Sequence, residues 1–154
     1  MAKQISCGIL LYRITDVPEF FLVHPGGIYN KNALWGIPKG HVEKDERFIN
    51  TAIREFQEEV GANIIVKNRL ITLGYIKQNK NKNVYCWGYN YDLGDNYEVK
   101  SILTEIEYPK NSGLFINVPE IDKGKYFTAE SCKDLIIRAQ FEFIVRLINI
   151  LERK

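Results

Sequence analysis

Residues 38–62 read PKGHVEKDERFINTAIREFQEEVGA, and the fold turns on this stretch. From Arg47 to Val60 the apolar residues Ile49, Ile53, Phe56 and Val60 recur at helical spacing, and Gly61 stands where a C-terminal cap belongs. The spacing predicts a helix behind a Pro-Lys-Gly turn. At about 100° per residue, Glu55, Glu58 and Glu59 share one arc of that helix and the four apolar residues share another. Solvated like charges at helical neighbour spacing cost a few tenths of a kcal/mol, so the cluster can be a solvent-facing stripe in which Arg54 relieves Glu58 four residues on. A partly buried pair about 6 Å apart costs roughly 3 kcal/mol at an effective dielectric of 20. An enclosed cluster therefore needs a compensating partner, and a hard divalent cation that prefers oxygen ligands is one.

Upstream of the helix, ISCGILLYR and EFFLVH are β-branched and aromatic runs joined by ITDVP, which predicts two neighbouring strands and a turn. Gly and Pro punctuate HPGGIYNKN and LWGIPKG, which read as loops. Downstream, IIVKNRLITLGYI and VYCWGYNYDL bracket KQNKNKN, predicting two antiparallel strands and a polar turn. YPKNSGLFINVPEIDKGKYF reads as a loop entering a last strand near residues 125–127, and Thr128 as the cap of a short helix. The C-terminal LIIRAQFEFIVRLINILERK places Ile137, Phe141, Ile144, Leu147, Ile148 and Leu151 on one face of an amphipathic helix. Strands, helix, strands and helix predict an α/β protein with a mixed sheet between helices.

The chain has 154 residues, enough for one domain with a proper core and too few for two, so residues 1–154 are read as a single domain. A formal net charge of +2, with basic residues scattered among nearly as many acids, argues against nucleic acid as a partner. No apolar run reaches the roughly 20 residues of a membrane span, since Arg146 interrupts FIVRLINIL. Residues 1–13 show no signal-peptide pattern and read as a strand. Cys7, Cys86 and Cys132 lack paired spacing and read as buried small hydrophobes in a reducing compartment, so a cytoplasmic location is expected.

Read outward from the glutamates, Gly40, Glu46, Arg54, Glu55, Glu58, Glu59 and Gly61 stand at the spacings of the Nudix box, which this segment resembles. Seven fixed identities coincide by chance in about 10⁻⁸ of windows if each type has a frequency near 0.07. Phe56 stands where the family usually has an aliphatic residue and Ala62 where a larger apolar one is common; neither removes a candidate ligand. The resemblance implies the Nudix α/β/α sandwich. It also implies hydrolysis of a nucleoside diphosphate linked to another group, with Mg²⁺ or Mn²⁺ as cofactor and a small-molecule nucleotide as substrate.

On that resemblance Glu55, Glu58 and Glu59 are metal ligands and catalytic residues, the Gly40 carbonyl completes the shell, and Glu46, Arg54 and Gly61 are structural. Relatives often place a further acid before the last strand. Glu120 is the candidate, upstream of Tyr126-Phe127 where relatives have a Trp, with Glu98, Glu105 and Glu107 as competitors. Lys39 is the candidate phosphate contact. FFLVHPGG, WGIPKG and AQFEFI resemble a bacterial subgroup described as nucleoside triphosphate pyrophosphohydrolases, whereas PKGHVE is similar to the box entry of dinucleoside polyphosphate hydrolases. His24 and His41 read as ordinary loop residues, with phosphate contacts or acid/base groups as the alternative. Tyr85, Trp87, Tyr89 and Tyr91 alternate along one strand and either stack a base or pack under a helix. A nucleotide-sensing module without turnover is the alternative function, which loss of a box glutamate would favour. An isopentenyl-diphosphate isomerase-like activity is disfavoured because no cysteine is near the box in sequence.

Overall fold

A computed structural model describes residues 3–153, so Met1, Ala2 and Lys154, which belong to the predicted first strand's segment and last helix's segment, lie outside the described residues. Strand β1 (Gln4–Ile14) is buried continuously from Ser6 to Tyr12, as expected of a strand covered on both faces. It runs parallel to β5 (Lys82–Asn90), which pairs antiparallel with β4 (Ile71–Asn79). On its other side β1 pairs antiparallel with β2 (Pro18–Pro25), and β2 pairs with β8 (Ile121–Thr128). The order is β4-β5-β1-β2-β8, with the short β3 (Lys39–His41) also on β1.

The placement of β3 creates the space used below. Ladder contacts between β1 and β2 are confined to Tyr12–Ile14 and Pro18–Phe20. Beyond them residues 36–41 enter between the two strands: Gly36 bridges Val23, and Lys39–His41 pair with Ser6–Gly8.

Helix α1 (Phe48–Val60) covers one face of the sheet, where Ala52, Phe56 and Val60 meet Cys7, Ile9, Leu11, Phe21 and Val23. Helices α2 (Ala129–Leu135) and α3 (Phe141–Glu152) cover the other, where Phe143, Ile144 and Leu147 meet Leu10, Phe20, Leu22 and Val84. The mixed α/β sandwich is therefore present. Gly61 caps α1 at φ 80°, and Thr128 caps α2, its hydroxyl accepting from the Ser131 N–H. No helix among the described residues is long and apolar enough to cross a membrane.

Three expectations are corrected. Residues 108–127 are not a loop with a short strand at its end. β6 (Leu103–Glu107) and β7 (Phe115–Pro119) form a hairpin, and β8 begins at Ile121. Of the Pro and Gly residues that suggested a loop, Pro109 and Gly113 sit in its turn, Pro119 ends β7 and Gly124 lies inside β8, and the Glu107 carboxylate accepts from the N–H groups of Asn111 and Gly113 within that turn. The strand predicted from Ile64 starts at Ile71, after a 3₁₀ turn at Lys67–Arg69. The C-terminal helix is broken: Ile136 bridges Trp35 in extended conformation, and α3 starts at Phe141. Arg146, which interrupts the apolar run as expected, donates from its guanidinium to the carbonyls of Leu73 and Tyr75, beside the β4 irregularity at Gly74.

The break in the C-terminal helix brings Gln140 into the interior. Fully buried, it accepts from the Ile37 N–H at 2.9 Å and donates to Gln78 Oε1 at 2.9 Å. This ties the WGIPKG and AQFEFI segments together. Gln140→Leu keeps the bulk but leaves the Ile37 N–H unpaired, so it should lower the unfolding free energy by about 1–3 kcal/mol, measured as a lower urea midpoint at unchanged m-value.

Candidate active site

The arc of glutamates borders the buried arc of α1. With Glu55 as origin, Glu59 lies about 40° round the helix, next to Ala52 at about 60° and Phe56 at about 100°, while Glu58 lies about 60° the other way. Packing α1 on the sheet consequently carries two of the three under cover: Glu59 is 5% exposed and Glu55 8%, whereas the Glu58 side chain keeps 33%. The solvated-stripe alternative holds only for Glu58.

Arg54 compensates the cluster. Its Nε and Nη2 donate to the two carboxylate oxygens of Glu46 at 2.8 and 3.0 Å, Nη1 donates to Glu55 at 2.8 Å and to Glu58 at 3.1 Å, and Nη2 also donates to the His41 carbonyl at 3.0 Å. Glu46 further accepts from the Thr51 hydroxyl and the Glu43 N–H. These donors, Arg54 first, hold the Glu46 carboxyl down at about 2.

The turn before the helix supplies the opposing wall. The Lys39 N–H donates to Glu59 Oε1 at 3.1 Å. A Cβ on Gly40 would fall 2.0 Å from the Glu55 carboxyl carbon, so this position must be glycine for Glu55 to lie against the β3 backbone. A cleft of about 270 Å³ opens here, lined by Lys39, Gly40, His41, Glu59, Lys82 and Glu120 with an apolar wall that includes Val23 and Ile137. Burial, helped by the charge of Glu120, pushes Glu59 up to about 8. Burial first and the charge of Glu58 second raise Glu55. Burial and the neighbouring Lys82 push Lys39 down to about 8, and burial lowers His41.

Of the residues singled out in sequence, the fold brings Lys39, Gly40, Glu59 and Glu120 to one cleft, with Glu55 against Gly40. Among the competitors of Glu120, Glu107 caps the hairpin turn, and Glu98 and Glu105 do not line this cleft. His41 lines the cleft; His24 is buried elsewhere, against Trp35 and 3.0 Å from Asp122. Tyr89 is buried with its hydroxyl on the Ile64 carbonyl, and Tyr85 lies 4.8 Å from the Phe48 ring of α1, so these two pack under the helix. Cys7 is the Cα partner of Gly40 despite its distance in sequence; its thiol is fully buried in the α1 layer, where burial pushes it up to about 12. Lys82 was not singled out. It sits in the polar turn segment, and only the parallel β1/β5 pairing brings it opposite Gln4 and to the cleft.

The three glutamates share one arc of α1 as expected, and their carboxylates are held by Arg54 and by the Lys39 N–H. Among the described residues no three His, Cys, Asp or Glu groups are gathered as a metal site. Glu58 turns to Arg54, and Glu55 shares the same guanidinium nitrogen.

A model of the NUDIX domain matches residues 3–140. This chain belongs to the Nudix family. It is 33% identical over 94 residues to the rat (Rattus norvegicus) asymmetrical bis(5'-nucleosyl)-tetraphosphatase, a match covering 53% of this chain and 61% of the rat protein. In fold it resembles the C. elegans Ap4A hydrolase in a binary complex, with a TM-score of 0.68 at 20% identity over 98% of this chain and 99% of that one. It also resembles the NUDIX domain of Shewanella oneidensis NrtR complexed with ADP ribose, with a TM-score of 0.65 at 13% identity over 98% and 90% of the two chains.

The Glu46–Arg54 pair gives this Nudix domain a defined acid response. A folded-state value depressed below the ordinary 4.5 stabilises the fold fully above that value, and the stabilisation is lost as pH falls towards 2. Glu46→Gln should therefore cost about 2 kcal/mol at pH 7, taking a charge-assisted bidentate bond with solvent screening. The gap to the wild type in urea melts should close progressively between pH 5 and pH 2.

Proposed function

We propose that the chain is a pyrophosphohydrolase that attacks the anhydride chain of a nucleoside polyphosphate, with dinucleoside polyphosphates as the preferred class and nucleoside triphosphates as the other. The observation that carries this reading is the meeting, in one cleft, of buried Glu59 and adjacent Glu120 with Lys39 and Lys82. Similarity to the rat tetraphosphatase supports the choice of class.

The oxygen donors of Glu55, Glu58, Glu59 and the Gly40 carbonyl suit a hard cation, Mg²⁺ or Mn²⁺, which would offset the burial and the neighbouring Glu120 charge that raise Glu59 by competing with its proton. Bound there, the metal supplies charge neutralisation and a water of lowered pKa. Lys39 and Lys82 draw phosphate oxygens into the cleft. Their mutual repulsion, relieved by an anion between them, favours a substrate with several adjacent phosphates. Glu120 faces the same space, pairs with no Arg among the described residues, and accepts the proton of the attacking water. Arg54 touches no substrate; it holds Glu46, Glu55 and Glu58 and anchors the His41 carbonyl. Three buried free cysteines suit a reducing cytoplasm.

A panel of dinucleoside polyphosphates, nucleoside triphosphates, nucleotide sugars and ADP-ribose, incubated with Mg²⁺ in ¹⁸O-water and read by mass spectrometry, names the substrate and the phosphorus attacked. A dinucleoside polyphosphate should turn over fastest. Glu59→Gln should lose at least about 10²-fold in kcat, and a variant keeping more than a tenth of the wild-type rate would take Glu59 out of the essential set. Absence of turnover with any compound, combined with a ligand that raises the melting temperature, would replace the hydrolase reading by a nucleotide-sensing module.

A further inference from the structure

We infer that Gly26, with Ser101 as its counterpart, is a positioning residue that sets the place of Glu120 in the cleft; this rests on the proposed hydrolase function. Glu120 stands at the junction of β7 and β8, outside both strands. Its backbone is nevertheless held on every side. The Gly26 N–H donates to the Glu120 carbonyl at 2.8 Å, the Glu120 N–H donates to the Ile102 carbonyl at 2.9 Å, and the Ile102 N–H donates to the Glu58 carbonyl at 3.0 Å. The next amide, that of Ile121, donates to Ser101 Oγ at 3.0 Å. A chain of hydrogen bonds therefore runs from the last turn of α1, which carries the box glutamates, through residue 102 to Glu120 and on to Gly26. Asn30 closes it by donating to the Gly26 carbonyl at 2.8 Å.

Gly26 makes that chain possible by lacking a side chain. A Cβ there would lie 2.0 Å from the Pro119 carbonyl oxygen. The obstacle is backbone, which cannot swing aside as a side-chain tip can, so an alanine has to push the Pro119–Glu120 peptide away from β2. The φ of Gly26 is not in the left-handed region, so alanine does not meet left-handed strain there and the clash is what the substitution tests. The register between β2 and β8 shifts between His24 and Pro25, so Pro25 faces Ile121 while His24 faces Lys123. The glycine thus follows the end of β2 directly, next to the register shift and against the chain entering β8. This gives the HPGG segment a role: its first glycine seats the acid of the downstream loop.

A carboxylate moved by about 1 Å from its working place costs up to about 10²-fold in rate. The experiment uses the full chain and the fastest substrate of the panel. Gly26→Ala should lower kcat about 10- to 100-fold while KM stays within about threefold, because the phosphate-binding lysines are untouched. In the double variant with Glu120→Gln, the loss should equal that of Glu120→Gln alone, since the glycine acts only through the glutamate. If Gly26→Ala does not fold, Ser101→Ala carries the same cycle with a smaller loss of about 3- to 10-fold. Losses that multiply, or a folded Gly26→Ala with wild-type kcat, overturn the inference while leaving the hydrolase reading standing. A wild-type chain that turns over nothing removes the hydrolase reading, and the positioning role falls with it.

Discussion

Seating α1 on the sheet buries carboxylates, and the surroundings of the site are organised to tolerate this. Ala52, Phe56 and Val60 have to reach the core, and because Glu55 and Glu59 lie next to them on the helical wheel, they are carried inward. Uncompensated buried charge is far more expensive than an exposed one. The chain meets that cost with an arginine spanning two elements and with a backbone N–H from Lys39, while burial raises Glu59. Arg54 is central because its guanidinium reaches the helix and the loop that precedes it at once. A lysine has no such fork.

The same constraint explains the parting of β1 and β2. A sheet zipped along its whole length would leave no room beside the glutamates. Instead residues 36–41 are threaded between the two strands, held on one side by Val23 and on the other by β1, with Gln140 pinned behind Ile37. A backbone turn thereby stands opposite the acidic face of α1, and the site has one wall of helix and one of turn. Lys39, Lys82 and His41 line the opening. The cleft thus combines acids that repel one another and bases that repel one another, a charge pattern complementary to a metal-bound polyphosphate.

The elements that complete the site are the distant ones. The segment from Lys100 to Ile102 is hydrogen-bonded to the end of α1 and passes the link on to Glu120, and the broken C-terminal helix contributes Ile137 to the cleft wall. These pieces are stitched by backbone groups, by the Ser101 hydroxyl and by one buried glutamine rather than by the box side chains.

By itself the sequence determined the helix, its glycine cap, the glutamate arc and the family, because each of these is a local pattern whose period or spacing is set by helix geometry. It pointed to Lys39 and Glu120 by motif. It could not tell which glutamates are buried, since that depends on which edge of the arc touches the sheet. Lys82 stood in an ordinary polar turn until the parallel β1/β5 pairing delivered it to the cleft. The hairpin of β6 and β7 was hidden because prolines and glycines at a turn and a strand end read locally as loop. The break before α3 was hidden because Ile136 leaves helical conformation for a bridge to Trp35, a partner about a hundred residues away. Long-range pairing has no local signature, and so the tertiary structure alone decided how the helix, the turn and the last strand are brought around one space.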